Sequence, residues 1–168
     1  MKNITFFTLL FSITFTGCVN KSKIDESSKK NKNEDLMSVY FDFPDTVIIN
    51  KKYNGKIIFK SDLDTITESF NDSIYNRYVF YFMQKGNNYT GLKSSELNKY
   101  IKDTIGALNN RTIPLYVIQF NKLGKQYFDG FIYDFVVIDT LKKGANNKHK
   151  VKLIENKFRI NHQITVIE

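Results

Sequence analysis

Residues 77–83 read RYVFYFM, a run with no polar face if it is a strand. Tyr78, Phe80 and Phe82 would point one way, and Val79, Tyr81 and Met83 the other. Ile113–Phe120 and Phe131–Ile138 share this two-sided apolarity. A strand buried on one side alternates apolar and polar residues, so a bare sandwich of two sheets would leave these outer faces in water. Something has to cover them: a helix, a partner protein or a second copy of the chain.

Other runs rich in β-branched and aromatic residues predict strands near Val39–Phe43, Thr46–Asn50, Lys56–Lys60, Lys148–Ile154 and Lys157–Ile167. Asn54-Gly55 reads as a reverse turn before the third. In the last run Phe158, Ile160, His162, Ile164 and Val166 alternate with Arg159, Asn161, Gln163 and Thr165, giving one core face and one wet face. Val151 and Leu153 alternate in the same way with Lys150 and Lys152, and a bend at Glu155-Asn156-Lys157 would join both runs as a C-terminal hairpin. One segment has helical spacing instead. From Ser94 to Ile105, Leu97, Ile101 and Ile105 fall four apart, with Ser94 or Ser95 placed to cap the first turn. The expected fold is mainly β, an antiparallel immunoglobulin-like sandwich with one packed helix. An α+β arrangement, with the helix on one face of an antiparallel sheet, is the alternative.

Ahead of this domain the chain opens MKN and then runs ITFFTLLFSITFT, uncharged and free of Gly and Pro. That run is too short to span a bilayer comfortably, which takes about 20 residues, and has the proportions of a secretory leader. It closes on Phe15-Thr16-Gly17-Cys18, which resembles the lipobox of bacterial lipoproteins, with Phe15 where Leu is usual. The resemblance covers the first eighteen residues and implies removal of residues 1–17 and acylation of Cys18. Cys18 is the only cysteine, so no internal disulfide competes for it. Two or three acyl chains on one residue hold a protein stably at a membrane. Residues 18–38 carry no aromatic side chain and should form a flexible tether with a reach of about 25 Å. Residues 39–168 then form a single β-rich domain.

With Lys2 removed in the leader, 24 basic residues face 17 acidic ones, a balance of +7. An exported lipoprotein does not meet nucleic acid, so the anions open to it are lipid head groups and envelope polymers. The densest basic stretch lies between Leu141 and Ile160, where Lys148, Lys150, Lys152 and Arg159 are the candidate contacts to an anionic surface. A solvated hairpin whose lysines discourage edge pairing is the competing reading. Val19 and the basic start of the tether favour the periplasmic face of the outer membrane.

No catalytic constellation stands out. The chain has no Gly-rich phosphate loop, no His-x-x-x-His pair and no Gly-x-Ser-x-Gly elbow, and no cofactor or metal is expected. His149 falls in a Lys-rich bend, and His162 interrupts an apolar face as a core or rim histidine would. Asp62, Asp64 and Glu68 have the spacing of a calcium loop but lack its turn glycine, so they read as a polar connection. Asp followed by Ser or Thr and an aliphatic residue occurs five times, at Asp45, Asp64, Asp72, Asp103 and Asp139. This pattern resembles the O-glycosylation acceptor of exported proteins in the Bacteroidota, with Thr46, Thr65 and Thr140 as acceptors; turns that start strands would produce it too. The function expected is a non-enzymatic binding or structural lipoprotein of the cell envelope. The alternatives are a small hydrolase or transferase acting on envelope glycans, or an accessory or inhibitor subunit of an envelope complex.

Overall fold

The computed structural model describes residues 37–67, 70, 72, 74–144 and 147–168, so the leader, Cys18 and most of the tether lie outside the described residues. Eight strands follow: β1 (Met37–Asp42), β2 (Thr46–Ile48), β3 (Lys52–Ser61), β4 (Tyr75–Gly86), β5 (Asp103–Gly106), β6 (Thr112–Gln119), β7 (Gly124–Lys143) and β8 (His149–Ile167). They form a three-stranded sheet in the order β1-β3-β6 and a five-stranded sheet in the order β2-β8-β7-β4-β5. All pairings are antiparallel except that of β2 with β8. The fold is mainly β, as its composition of strand formers predicts, and the larger sheet curls into a half-barrel.

The core joins the two sheets. Ile57 and Phe59 of β3 and Ile113 and Leu115 of β6 meet Val79, Tyr81 and Met83 of β4, Phe128 and Ile132 of β7 and Ile164 of β8. Phe128 is its aromatic hub, with ring centroids 5.1 Å from Phe43, 5.5 Å from Phe120 and 6.0 Å from Phe41. At one end this core is closed by ions rather than by carbon. The buried Arg77 donates to both oxygens of Asp134, at 3.0 and 2.7 Å, to Asp64 at 2.6 Å and to the Thr67 carbonyl at 2.9 Å. Asp64 sits on a 3-10 turn, Asp62–Thr65, capped by Ser61, and also accepts from Arg111. Burial alone would raise the Asp64 carboxyl, but its hydrogen bonds from Arg77 and Arg111 outweigh that and hold it below the usual carboxylate range.

Four local expectations are corrected. The segment from Ser94 to Ile105 is not one helix: α1 (Ser94–Leu97) is a single turn, continued by a 3-10 turn at Asn98–Tyr100, and β5 follows. Strand β5 pairs with the edge of β4, satisfying a row of backbone groups, and Thr104 and Ile105 suit that geometry better than a helix. Asn54-Gly55 is not a turn but lies inside β3, opposite a bulge in β6. Between the pairs Tyr53–Ile118 and Gly55–Leu115, β6 carries one extra residue. Val117 takes φ 55° there, and its N–H donates to Asn54 Oδ1 at 2.9 Å. The bulge also explains the two-sided apolarity of β6, because Leu115 and Ile118 both point inward while Tyr116 and Val117 are exposed. Finally, the bend at residues 155–157 does not exist. Strand β8 runs unbroken, so Val151 and Leu153 lie exposed on the far end of a long β7–β8 hairpin.

For β4 and β7 the two-sided reading holds. Their outer face carries a ladder of rings in which Tyr78 and Phe135 stack at 5.2 Å, Tyr133 and Phe135 lie 4.8 Å apart, and Phe82 and Phe131 stack at 5.1 Å. The α1 turn lies against β7 and β8, with Leu97 buried. Phe131 is buried as well, while Tyr78, toward the other end of the ladder, is 45 % exposed. Short as it is, the helical turn covers part of the face and leaves the rest open.

Candidate functional site

At the opposite end of the core from the Arg77 cluster, a polar cavity of about 700 Å³ opens between the ends of β4, β5 and β6 and the start of β7. Lys85, Lys102 and Lys122 line it together with one carboxylate, Asp103, and with Gln119 and Gln126. Each lysine arrives from a different segment. Lys85 ends β4, Lys102 precedes β5, and Lys122 stands on the short connection between β6 and β7. That connection ends at Gly124 with φ +87°, a backbone region that a side chain would strain. Lys85 Nζ donates to the Gln119 carbonyl at 3.1 Å and lies 5.8 Å from the Phe120 ring centre, tying the two sheets together across the mouth.

Gln126 also lines the cavity. It lies on β7 opposite Ile164 and is 4 % exposed, and its Nε2 has no hydrogen-bond partner among the described residues. A buried amide donor left unmade is costly, and such groups in folded proteins generally have a protein, water or ligand partner. Cationic side chains at the rim, set against a single carboxylate, make the cavity electron-demanding. It suits an anionic, oxygen-rich molecule.

None of these residues stood out in the sequence, because the three lysines are spread over residues 85–122 and only the topology collects them. The lysines that did stand out lie elsewhere. Lys148, Lys150 and Lys152 are exposed at the projecting end of the β7–β8 hairpin, with the Lys150 carbonyl accepting from Thr140 Oγ1 at 2.6 Å. Arg159 is not with them. Its guanidinium pairs with the buried Asp129 and donates to the Leu92 carbonyl at 2.8 Å. Thr90 donates to the same Asp129 from its hydroxyl at 2.7 Å and its N–H at 3.2 Å, so Arg159 and Asp129 together pin the segment leading into α1. Arg159 is therefore a clasp between strands rather than a surface contact.

Among the proposed acceptors, Thr46 is exposed at the start of β2, and Thr65 is exposed but donates to the Asp62 carbonyl at 2.7 Å. Thr140 is half-buried, and Thr104, which follows Asp103 in the same pattern, is exposed on β5. Ser73 and Glu68 lie outside the described residues. Asp62 accepts from Asn156 Nδ2 at 2.8 Å, so the acidic connection is engaged in local structure.

His149 Nδ1 lies 2.7 Å from Asp139 Oδ2 at the exposed end of the hairpin. His162 stacks on Phe41 with centroids 4.7 Å apart and planes within 6°, and its Nε2 lies 3.3 Å from Asp45 Oδ1 without hydrogen-bond alignment. Burial lowers the His162 imidazole below its usual range against an upward pull from Asp45. The unfolded chain then binds the proton more readily than the folded one, so stability is intact above about pH 6.5 and is lost as pH falls toward the depressed value. Urea midpoints should drop between about pH 7.5 and pH 5.5. His162→Phe keeps the stack and should flatten that drop; an unchanged slope in the variant would assign it to another group.

Comparison of the chain with protein-family models, with curated proteins and with solved structures returned no match.

Proposed function

We propose that this chain is a lipid-anchored protein of the bacterial cell envelope, held through Cys18 on the periplasmic face of the outer membrane, whose β domain binds rather than catalyses. The observation that carries the binding role is the inter-sheet cavity, with three lysines against one carboxylate. The inward carboxylates argue in the same direction. Asp64, Asp129 and Asp134 are each paired with an arginine, so they serve as structural counter-ions instead of the acid and base that a glycan hydrolase needs. Two largely antiparallel sheets around one core favour an immunoglobulin-like sandwich as the form of this module. The anchor rests on the leader, the lipobox-like ending and the single cysteine.

One observation favours a second reading, an accessory or inhibitor subunit. The open part of the outer aromatic ladder, from Tyr78 to Phe135, is a surface that a partner protein would cover.

Cys18→Ala tests the anchor. Expressed in an envelope-bearing host, the variant should lose labelling by a fatty-acid analogue and appear as an uncleaved or soluble product. Membrane association that survives the change would remove the anchor from the reading. On intact cells the domain should resist added protease if it faces the periplasm, whereas shaving would assign it to the outer surface.

A further inference from the structure

We infer that the inter-sheet cavity is a binding site for a phosphoryl group carried on a small polar head, held by Lys85, Lys102 and Lys122 at the mouth. This rests on the binding-module reading and names the ligand class for the same site.

Geometry of the donors selects the anion. A carboxylate is planar and is matched best by the flat fork of an arginine, and no arginine lines the cavity. Lysines are compact point charges that can approach from any side. Here they come from three segments, Lys85 and Lys102 on the β4 and β5 side and Lys122 on the β6–β7 connection. Cations arriving from separate segments suit a tetrahedral group whose oxygens diverge. Lys85 spends one of its three donors on the Gln119 carbonyl and keeps the others for a ligand.

The cavity also speaks for a head group. At about 700 Å³ it is far larger than a bare phosphate requires. Asp103 supplies an acceptor among the donors, which fits a hydroxyl of glycerol or a sugar better than the charged group itself. At the rim Val117 adopts φ 55°, a conformation disfavoured for a β-branched residue and held by the Asn54 side chain. Strain of this sort recurs where backbone is shaped around a ligand.

Calorimetric titration of the full chain in uncharged detergent tests the site with four probes at matched ionic strength: inorganic phosphate, glycerol 1-phosphate, acetate and short-chain phosphatidylglycerol. Glycerol 1-phosphate should bind more tightly than phosphate, and acetate should not bind measurably. Lys85→Gln and Lys122→Gln, both at the cavity mouth, should each weaken binding about tenfold. Preference for phosphatidylglycerol over the free ester would assign the phosphoryl group to lipid, and the reverse to a soluble phosphorylated sugar or polyol. Acetate binding as well as phosphate, with the same lysine dependence, would overturn the phosphoryl assignment and preserve the binding-module reading. A cavity silent to all four probes, or binding indifferent to both substitutions, would overturn the site itself.

Discussion

Replacing Arg77 with Met should cost about 3–5 kcal/mol of folding stability, because it strands the buried Asp134 carboxylate without its two guanidinium hydrogen bonds. The side chains of both partners are fully buried. Burial alone would make the guanidinium easier to deprotonate, but Asp134 and Asp64 together more than reverse that, so the group is charged in the folded protein. Asp134→Leu alone should cost less, because the cation keeps Asp64 and the Thr67 carbonyl. Combining Arg77→Met with Asp134→Leu should recover much of the loss, since apolar residues of matching volume are tolerated where a lone buried charge is not. Urea denaturation followed by far-ultraviolet circular dichroism measures all three variants. A double variant as unstable as the sum of the single ones would mean that the pair is not a coupled unit.

Gly130→Ala should be nearly as damaging through sterics alone. A Cβ at residue 130 would stand 2.3 Å from the Phe82 carbonyl oxygen, 2.6 Å from Tyr81 Cε2 and 3.1 Å from Met83 Cα. Two of those three atoms are backbone of the paired strand β4, so the clash is relieved only by spreading β4 from β7. The expected cost is about 3 kcal/mol, at the upper end for overpacking a core. Gly86→Ala, where an added Cβ meets nothing within 4 Å, is the control and should change stability by less than about 1 kcal/mol. Equal effects at the two positions would remove the close approach of β4 as the reason residue 130 is glycine.

Strand positions were legible where residue type and tertiary demand agree. Arg77–Met83 and Phe131–Ile138 are rich in aromatic and β-branched residues, and their apolar outer faces announced a surface in need of cover. Elsewhere the deciding fact was a register that no local pattern carries. Glu155-Asn156-Lys157 reads as a bend, yet these residues pair with Phe135, Asp134 and Tyr133 across the sheet. The Tyr133 hydroxyl donates to Glu155, which pushes that phenol up to about 12, and Lys157 lies 4.7 Å over the Tyr133 ring. The alternation around Arg159 marks it correctly as off the main core face. Only the pairing of Arg159 with Phe131 brings it near Asp129, two residues along β7, and so turns a solvated cation into a clasp. In β6 a single bulge shifts the alternation by one residue, which a reading of period two mistakes for apolarity on both faces. The candidate site was invisible for a related reason: its lysines share a location in space and none in sequence.

The parallel pairing of β2 with β8 sets an order of events. Thr46, Val47 and Ile48 align with Thr165, Val166 and Ile167, and Ile49 N–H donates to the Ile167 carbonyl at 2.8 Å. β8 also lies inside its sheet, between β2 and β7, so an early and a middle strand wait for the last one before that half of the molecule can close. Such long-range pairing folds slowly. A ribosome still adding residues 160–168 holds a chain that cannot yet finish its larger sheet. On the export proposed above, the delay would keep the larger sheet open until β8 has passed, because β2 and β7 both pair with it.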